Sequence, residues 1–126
     1  TFTQVILYTD TDGFAKFREK TIPLNEGNPQ SMLSEVFASG GYQFRQSPTG
    51  FRSNFHCTTT PQWLVVLQGE MEIGLQDGSS RIFKAGEGFY SNDTLPEGAA
   101  FDATVHGHWS RQVGDAPLVT LFVRSA

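Results

Sequence analysis

The sequence holds a single cysteine, Cys57, so no disulfide can form within the chain and a reducing, cytoplasmic setting is the expectation. It has no apolar run near the roughly 20 residues that a membrane helix requires, and no membrane partner is expected. Thr1-Phe2-Thr3-Gln4 has neither the basic nor the apolar region of a secretory signal. Basic residues are few and scattered: nine Lys and Arg stand against 13 Asp and Glu, a formal charge of −4. Binding a phosphate backbone takes clustered cations that displace counterions, so no nucleic-acid partner is expected. Gly86-Glu87-Gly88 lacks the strand-to-helix context of a phosphate loop. No spacing suggests a Ser/His/Asp triad, and no internal repeat or low-complexity segment is evident.

What is plentiful is aromatic and turn-forming. The 126 residues include 11 Phe, 3 Tyr, 2 Trp, 13 Gly and 6 Pro, enough chain for one domain and a mix that suits an all-β barrel or sandwich better than a helix bundle. Val5 to Tyr8 reads as a short strand closed by a turn through Asp12-Gly13. Phe14 to Leu24 is a mixed run. Asn25 to Gln30 is loop by composition, and Ser31 to Phe37 reads as either one helical turn or an irregular strand. Further strands are expected at 42–45, 51–58, 63–67, 70–75, 80–84, 89–90, 101–109 and 118–123. Eight to ten short strands at this spacing predict a closed or sandwiched antiparallel barrel.

Alternation places the polar candidates. Residues two apart on a strand share a face, so His56 and Thr58 go together and Cys57 turns away. By the same rule His106 and His108 share a face, together with Asp102 and Thr104. Trp63 stands opposite to Gln62, and Trp109 opposite to His108. Tyr90 and Arg52 are candidates for a pocket mouth where an anion is fixed.

The stretch from Gly50 to Gly69 has a particular spacing: glycine, five residues, His56-x-Thr58, three residues, Gln62, six residues, glycine. That spacing resembles the first motif of the cupin superfamily, with Thr58 where a second histidine stands and Gln62 where a glutamate stands. Phe83-Lys84-Ala85-Gly86-Glu87 resembles the opening of the second motif. The chain is most similar to a group of small, mostly uncharacterised single-domain cupins, through Tyr8-Thr9-Asp10-Thr11-Asp12-Gly13, Asp93-Thr94 and Gly107-His108-Trp109-Ser110-Arg111. His108 fits the second-motif histidine best by its neighbours, and His106 is the other candidate.

The resemblance implies an all-β double-stranded β-helix, or jelly-roll cupin barrel. One domain would cover 1–126, with residues 1–50 packing strands on the barrel and 50–126 carrying the core motifs. It implies a divalent metal (Zn, Fe, Ni or Mn) held by His56 and His108, in a pocket with Gln62, Tyr90 and His106. Imidazole ligates such metals well, whereas a neutral amide or hydroxyl does so poorly, so the ligand set is degenerate. Three functions follow as expectations. One is a metal-assisted dioxygenase, isomerase or lyase acting on a small molecule, or a metal-free enzyme with histidine as general base. Another is a non-catalytic pocket that binds or senses a small molecule. The last is a barrel kept for assembly, with a homodimer expected through an apolar sheet face such as the one bearing Trp63.

Overall fold

The computed structural model describes residues 2–126. It is all-β: eleven strands and, among the described residues, no helix, hence none long and apolar enough to cross a membrane. In chain order the strands are β1 (Phe2–Thr9), β2 (Ala15–Ile22), β3 (Glu26–Asn28), β4 (Ser31–Leu33), β5 (Ser39–Ser47), β6 (Gln62–Gln68), β7 (Glu70–Gly74), β8 (Ser80–Lys84), β9 (Gly88–Asn92), β10 (Trp109–Val113) and β11 (Leu118–Ser125). Six of them form one sheet in the order β2-β1-β9-β6-β11-β5, mixed because β1 and β9 run parallel. A second, antiparallel sheet has the order β10-β7-β8, and β3 with β4 makes a separate hairpin.

The two larger sheets share one core. Val5, Leu7, Leu64, Val66, Phe89 and Leu118 come from the six-stranded sheet, and Met71, Ile73 and Phe83 come from the other. Each fully buried aliphatic side chain of this kind contributes about 1.5–3 kcal/mol. Alternation explains which residues point there. In the six-stranded sheet, Leu64 lies opposite Phe89 on one side and Phe122 on the other, and Gln62 lies opposite Ser91 and Arg124. All these side chains therefore face the second sheet. Their sequence neighbours Trp63, Tyr90 and Val123 stand side by side on the outer face.

Several segments depart from the sequence expectation. Phe14 to Leu24 contains the regular strand β2, paired along its whole length with β1. Asn25 to Gln30 is not simply loop. It holds β3, and β4 returns beside it where the Asn28 side-chain oxygen accepts the N–H groups of Gln30 and Ser31. Phe51 to Thr58 is not a strand: its only β-type pairings are the isolated bridges Arg52 to Arg111 and His56 to His108. Phe101 to Gly107 is not a strand either. Val105 and His106 both donate N–H to the Asp102 carbonyl, winding the segment into a turn. The strand after it, β10, begins only at Trp109, where the sequence pattern was expected to end one.

Candidate functional site

Gly107 sets the geometry. Its φ is +84°, a left-handed conformation that side chains beyond glycine rarely tolerate, and a Cβ there would lie 2.5 Å from the His56 carbonyl oxygen. The backbones of 56 and 108 therefore come close enough for a reciprocal pair of hydrogen bonds, His56 N–H to His108 C=O at 2.9 Å and His108 N–H to His56 C=O at 3.0 Å. Their rings lie 4.7 Å apart, tilted by 56°.

Each ring is held by its Nδ1. That of His56 lies 2.9 Å from the Asn54 carbonyl oxygen, which can only accept, so Nδ1 carries the proton and Nε2 is the bare nitrogen. That of His108 lies 2.8 Å from Asp93 Oδ2. The other oxygen of this carboxylate accepts from Thr9 Oγ1 at 2.7 Å. Asp93 has no solvent exposure and His108 only 4%. A carboxylate behind an imidazole fixes its orientation and tautomer.

Neither Nε2 has a hydrogen-bond partner among the described residues, nor does the amide of Gln62. Yet no buried side-chain nitrogen or oxygen is left unsatisfied. All three groups therefore reach open space, and that space is a cavity of about 480 Å³ between the sheets. His56, Gln62 and His108 line it with Thr58, Ser91 and Ser110, over an apolar floor that includes Leu64, Met71, Ile73 and Phe89. Thr58 and Ser91 bond each other at 2.6 Å, so their hydroxyls are already engaged.

Part of the His56 ring meets solvent at the cavity mouth. The walls around it nevertheless withdraw enough water to push its pKa below the ordinary histidine value, the Asn54 carbonyl pulling the other way and His108 adding a smaller lowering. Burial raises the pKa of Cys57. Cys57 also contributes to the cavity wall instead of turning away, because 53–60 is not a strand and alternation does not apply.

Two of the expected pocket residues lie elsewhere. Tyr90 is on the outer face of β9, its ring 4.9 Å from that of Trp63. His106 is 9% exposed, its Nδ1 accepts the Asp102 N–H at 3.0 Å, and it lines a separate hollow with Asp10, Asp12 and Gly13. The turn at 102–106 and the left-handed Gly107 break the alternation that would have aligned it with His108. Arg52 is not at the mouth; its guanidinium lies 4.6 Å from the Trp109 ring centre.

Residues that the sequence reading left without a role complete the site. Arg45 and Arg124 line the cavity from β5 and β11, and Asp93 supports His108. Only Asp93 carried a local signal, the Asp93-Thr94 pair ahead of Gly107-His108. Among the described residues no group of three or more His, Cys, Asp or Glu side chains is placed to hold a metal ion. No protein-family model and no curated protein matches this chain.

Proposed function

We propose that this protein is a small-molecule-binding protein of cupin type, a jelly-roll barrel whose pocket is centred on His56, Gln62 and His108. The observation that carries the proposal is the pair of imidazoles, each tied down at Nδ1 and open at Nε2, set beside an unengaged amide in a cavity with an apolar floor. A few convergent polar groups over apolar walls are what orient a bound metabolite. At neutral pH His56, with its depressed pKa, offers a lone pair and accepts a hydrogen bond. Cys57, without a disulfide partner, fits a reducing cytoplasm.

The donor set does not fit a resident divalent metal. Catalytic zinc sites take three protein ligands, and here the two imidazole nitrogens share the cavity with a neutral amide, neutral hydroxyls and the Cys57 thiol, which burial holds in its protonated form. Asp93 is occupied behind His108 and does not reach the cavity. Elemental analysis of untagged protein and of a His56→Ala/His108→Ala double variant tests this directly. The expected result is the same, substoichiometric metal content in both, with an organic ligand co-purifying with the wild type alone. Stoichiometric metal that disappears in the double variant would overturn the metal-free reading.

The Asp93–His108 pair favours a second reading, in which the site also moves a proton. A carboxylate that fixes Nδ1–H leaves Nε2 oriented as a general base. His108→Gln would then keep ligand binding and abolish any conversion of the bound molecule.

The association expected from the sequence remains part of the proposal. Strand β5 is an edge of the six-stranded sheet and exposes Tyr42 and Phe44 by 71% and 61%. An open, apolar edge of that length invites strand pairing, and a second copy of this chain is the occupant we assign to it.

A further inference from the structure

We infer that the cavity is built for a small organic carboxylate, its anionic group held between Arg45 and Arg124 and its apolar body lying over Leu64, Phe89 and Phe122. The inference rests on the pocket reading and adds the class of molecule that enters.

The charge of the cavity is opposite to that of the chain. None of the 13 Asp and Glu residues lines it, whereas two arginines and two histidines do. A protein of net charge −4 has thus withdrawn every carboxylate from the cavity between its sheets. Two like-charged guanidiniums around one low-dielectric cleft focus a positive potential that raises the local concentration of anions.

Both arginines are uncommitted. Lys16, Arg81 and Arg111 have carboxylate partners, while Arg45 and Arg124 have none among the described residues. Arg45 stacks with its guanidinium carbon 5.0 Å from the centre of the Phe51 ring, which steadies the plane and leaves its in-plane N–H donors available. Arg124 makes only a long contact, 3.4 Å, with Gln43 Oε1. Register places Arg45 opposite Thr120, four residues from Arg124, or about 13 Å along the strand. The two side chains still line one smaller hollow together, over Gln43 and Phe122, and this hollow shares Gln62 and Phe122 with the main cavity.

A carboxylate suits the site better than a phosphate. The planar guanidinium fork matches the two oxygens of a carboxylate, and the floor beyond it is aliphatic and aromatic. With the carboxylate at the arginines, the body of the molecule extends towards His56 and His108, where the bare nitrogens accept from a hydroxyl or amide.

The test uses the full chain and four probes of one shape: benzoate, benzamide, benzylammonium and phenyl phosphate. Dissociation constants come from calorimetry, and imidazole ¹⁵N spectra of His56 and His108 report whether the probe is in the cavity. Benzoate is expected to bind at least tenfold more tightly than benzamide and benzylammonium. Arg45→Ala and Arg124→Ala should each weaken it roughly tenfold, the scale of one lost charge-assisted hydrogen bond. Arg52→Ala, outside the cavity, should leave it unchanged. Both substituted arginines are exposed, and unfolding midpoints verify that the variants fold. Equal binding of benzoate and benzamide, or benzoate affinity indifferent to both substitutions, would overturn the carboxylate inference and leave the pocket reading standing. Tighter binding of phenyl phosphate than of benzoate would overturn the choice of anion. Silence of both imidazoles with every probe would remove the pocket reading as well.

Discussion

His108 and Asp93 depend on each other more than on anything else nearby. Truncation in His108→Ala leaves the fully buried Asp93 carboxylate with Thr9 Oγ1 as its one side-chain partner. The expected cost is about 3 kcal/mol in urea unfolding, because a buried charge is left uncompensated. Thr9→Val removes the other bond to Asp93 and should cost about 1 kcal/mol. A loss for His108→Ala no larger than for Thr9→Val would show that the pair is not the anchor of this loop. His56 makes a different prediction, about pH. Its pKa in the folded chain is below the ordinary value of 6.5, chiefly through desolvation. In the unfolded chain it takes up a proton that the folded chain resists, so stability declines as pH falls through that value. Unfolding free energy followed from pH 7.5 to 5 should therefore fall less steeply in His56→Gln than in the wild type. Of the site residues, His56, Gln62 and His108 could be read from the Gly50–Gly69 spacing and the Gly107-His108 neighbourhood. Arg45 and Arg124 could not, since nothing local marks an arginine as unpaired when its partners would lie on other strands.

Whole segments were legible where the pattern was regular. β7 alternates acidic and apolar side chains, and the Asp77-Gly78 turn that leads from it into β8 keeps Leu75 N–H on the Ser79 carbonyl. The segments carrying the site were not regular. Residues 51–58 and 101–107 have strand-like composition but pair only through single bridges or wind into a turn. A period-two rule applied there misplaces Cys57 and His106, because alternation belongs to extended backbone and is lost wherever one residue turns left-handed. Gly107 is that residue. Gly107→Ala should destabilise the protein by about 2 kcal/mol or more, from the left-handed strain together with a Cβ set 2.5 Å from the His56 carbonyl. It should also weaken benzoate binding further than the loss of stability explains, by moving His56 away from His108. Thermal unfolding and calorimetry on the same sample separate the two effects. Unchanged affinity would mean that the histidine bridge does not shape the cavity.

The protein as a whole divides its polarity unevenly. One face of the six-stranded sheet closes over the core and cavity, and the opposite face carries Trp63 against Phe37 and Tyr90, with Tyr42 and Phe44 packed edge to face on β5. Burying that outer edge in a second copy would remove the exposed Tyr42 and Phe44 rings from water. Light scattering coupled to gel filtration is expected to give twice the chain mass for the wild type and the chain mass for Phe44→Glu. A monomeric wild type at tens of micromolar would leave this edge to another partner.

Composition and local pattern were sufficient for the all-β class, for the hairpins with well-formed turns, and for naming the histidines worth examining. These are short-range properties, set by how each residue fills a pleated surface or tolerates a turn. The tertiary structure decided which histidine enters the cavity, where Tyr90 and Arg52 end up, and that Arg45 and Arg124 stay without a carboxylate partner beside it. Those outcomes depend on register between strands distant in sequence and on a single positive φ at Gly107. Both are settled by the packing of the sheets against one another, which no window of neighbouring residues contains.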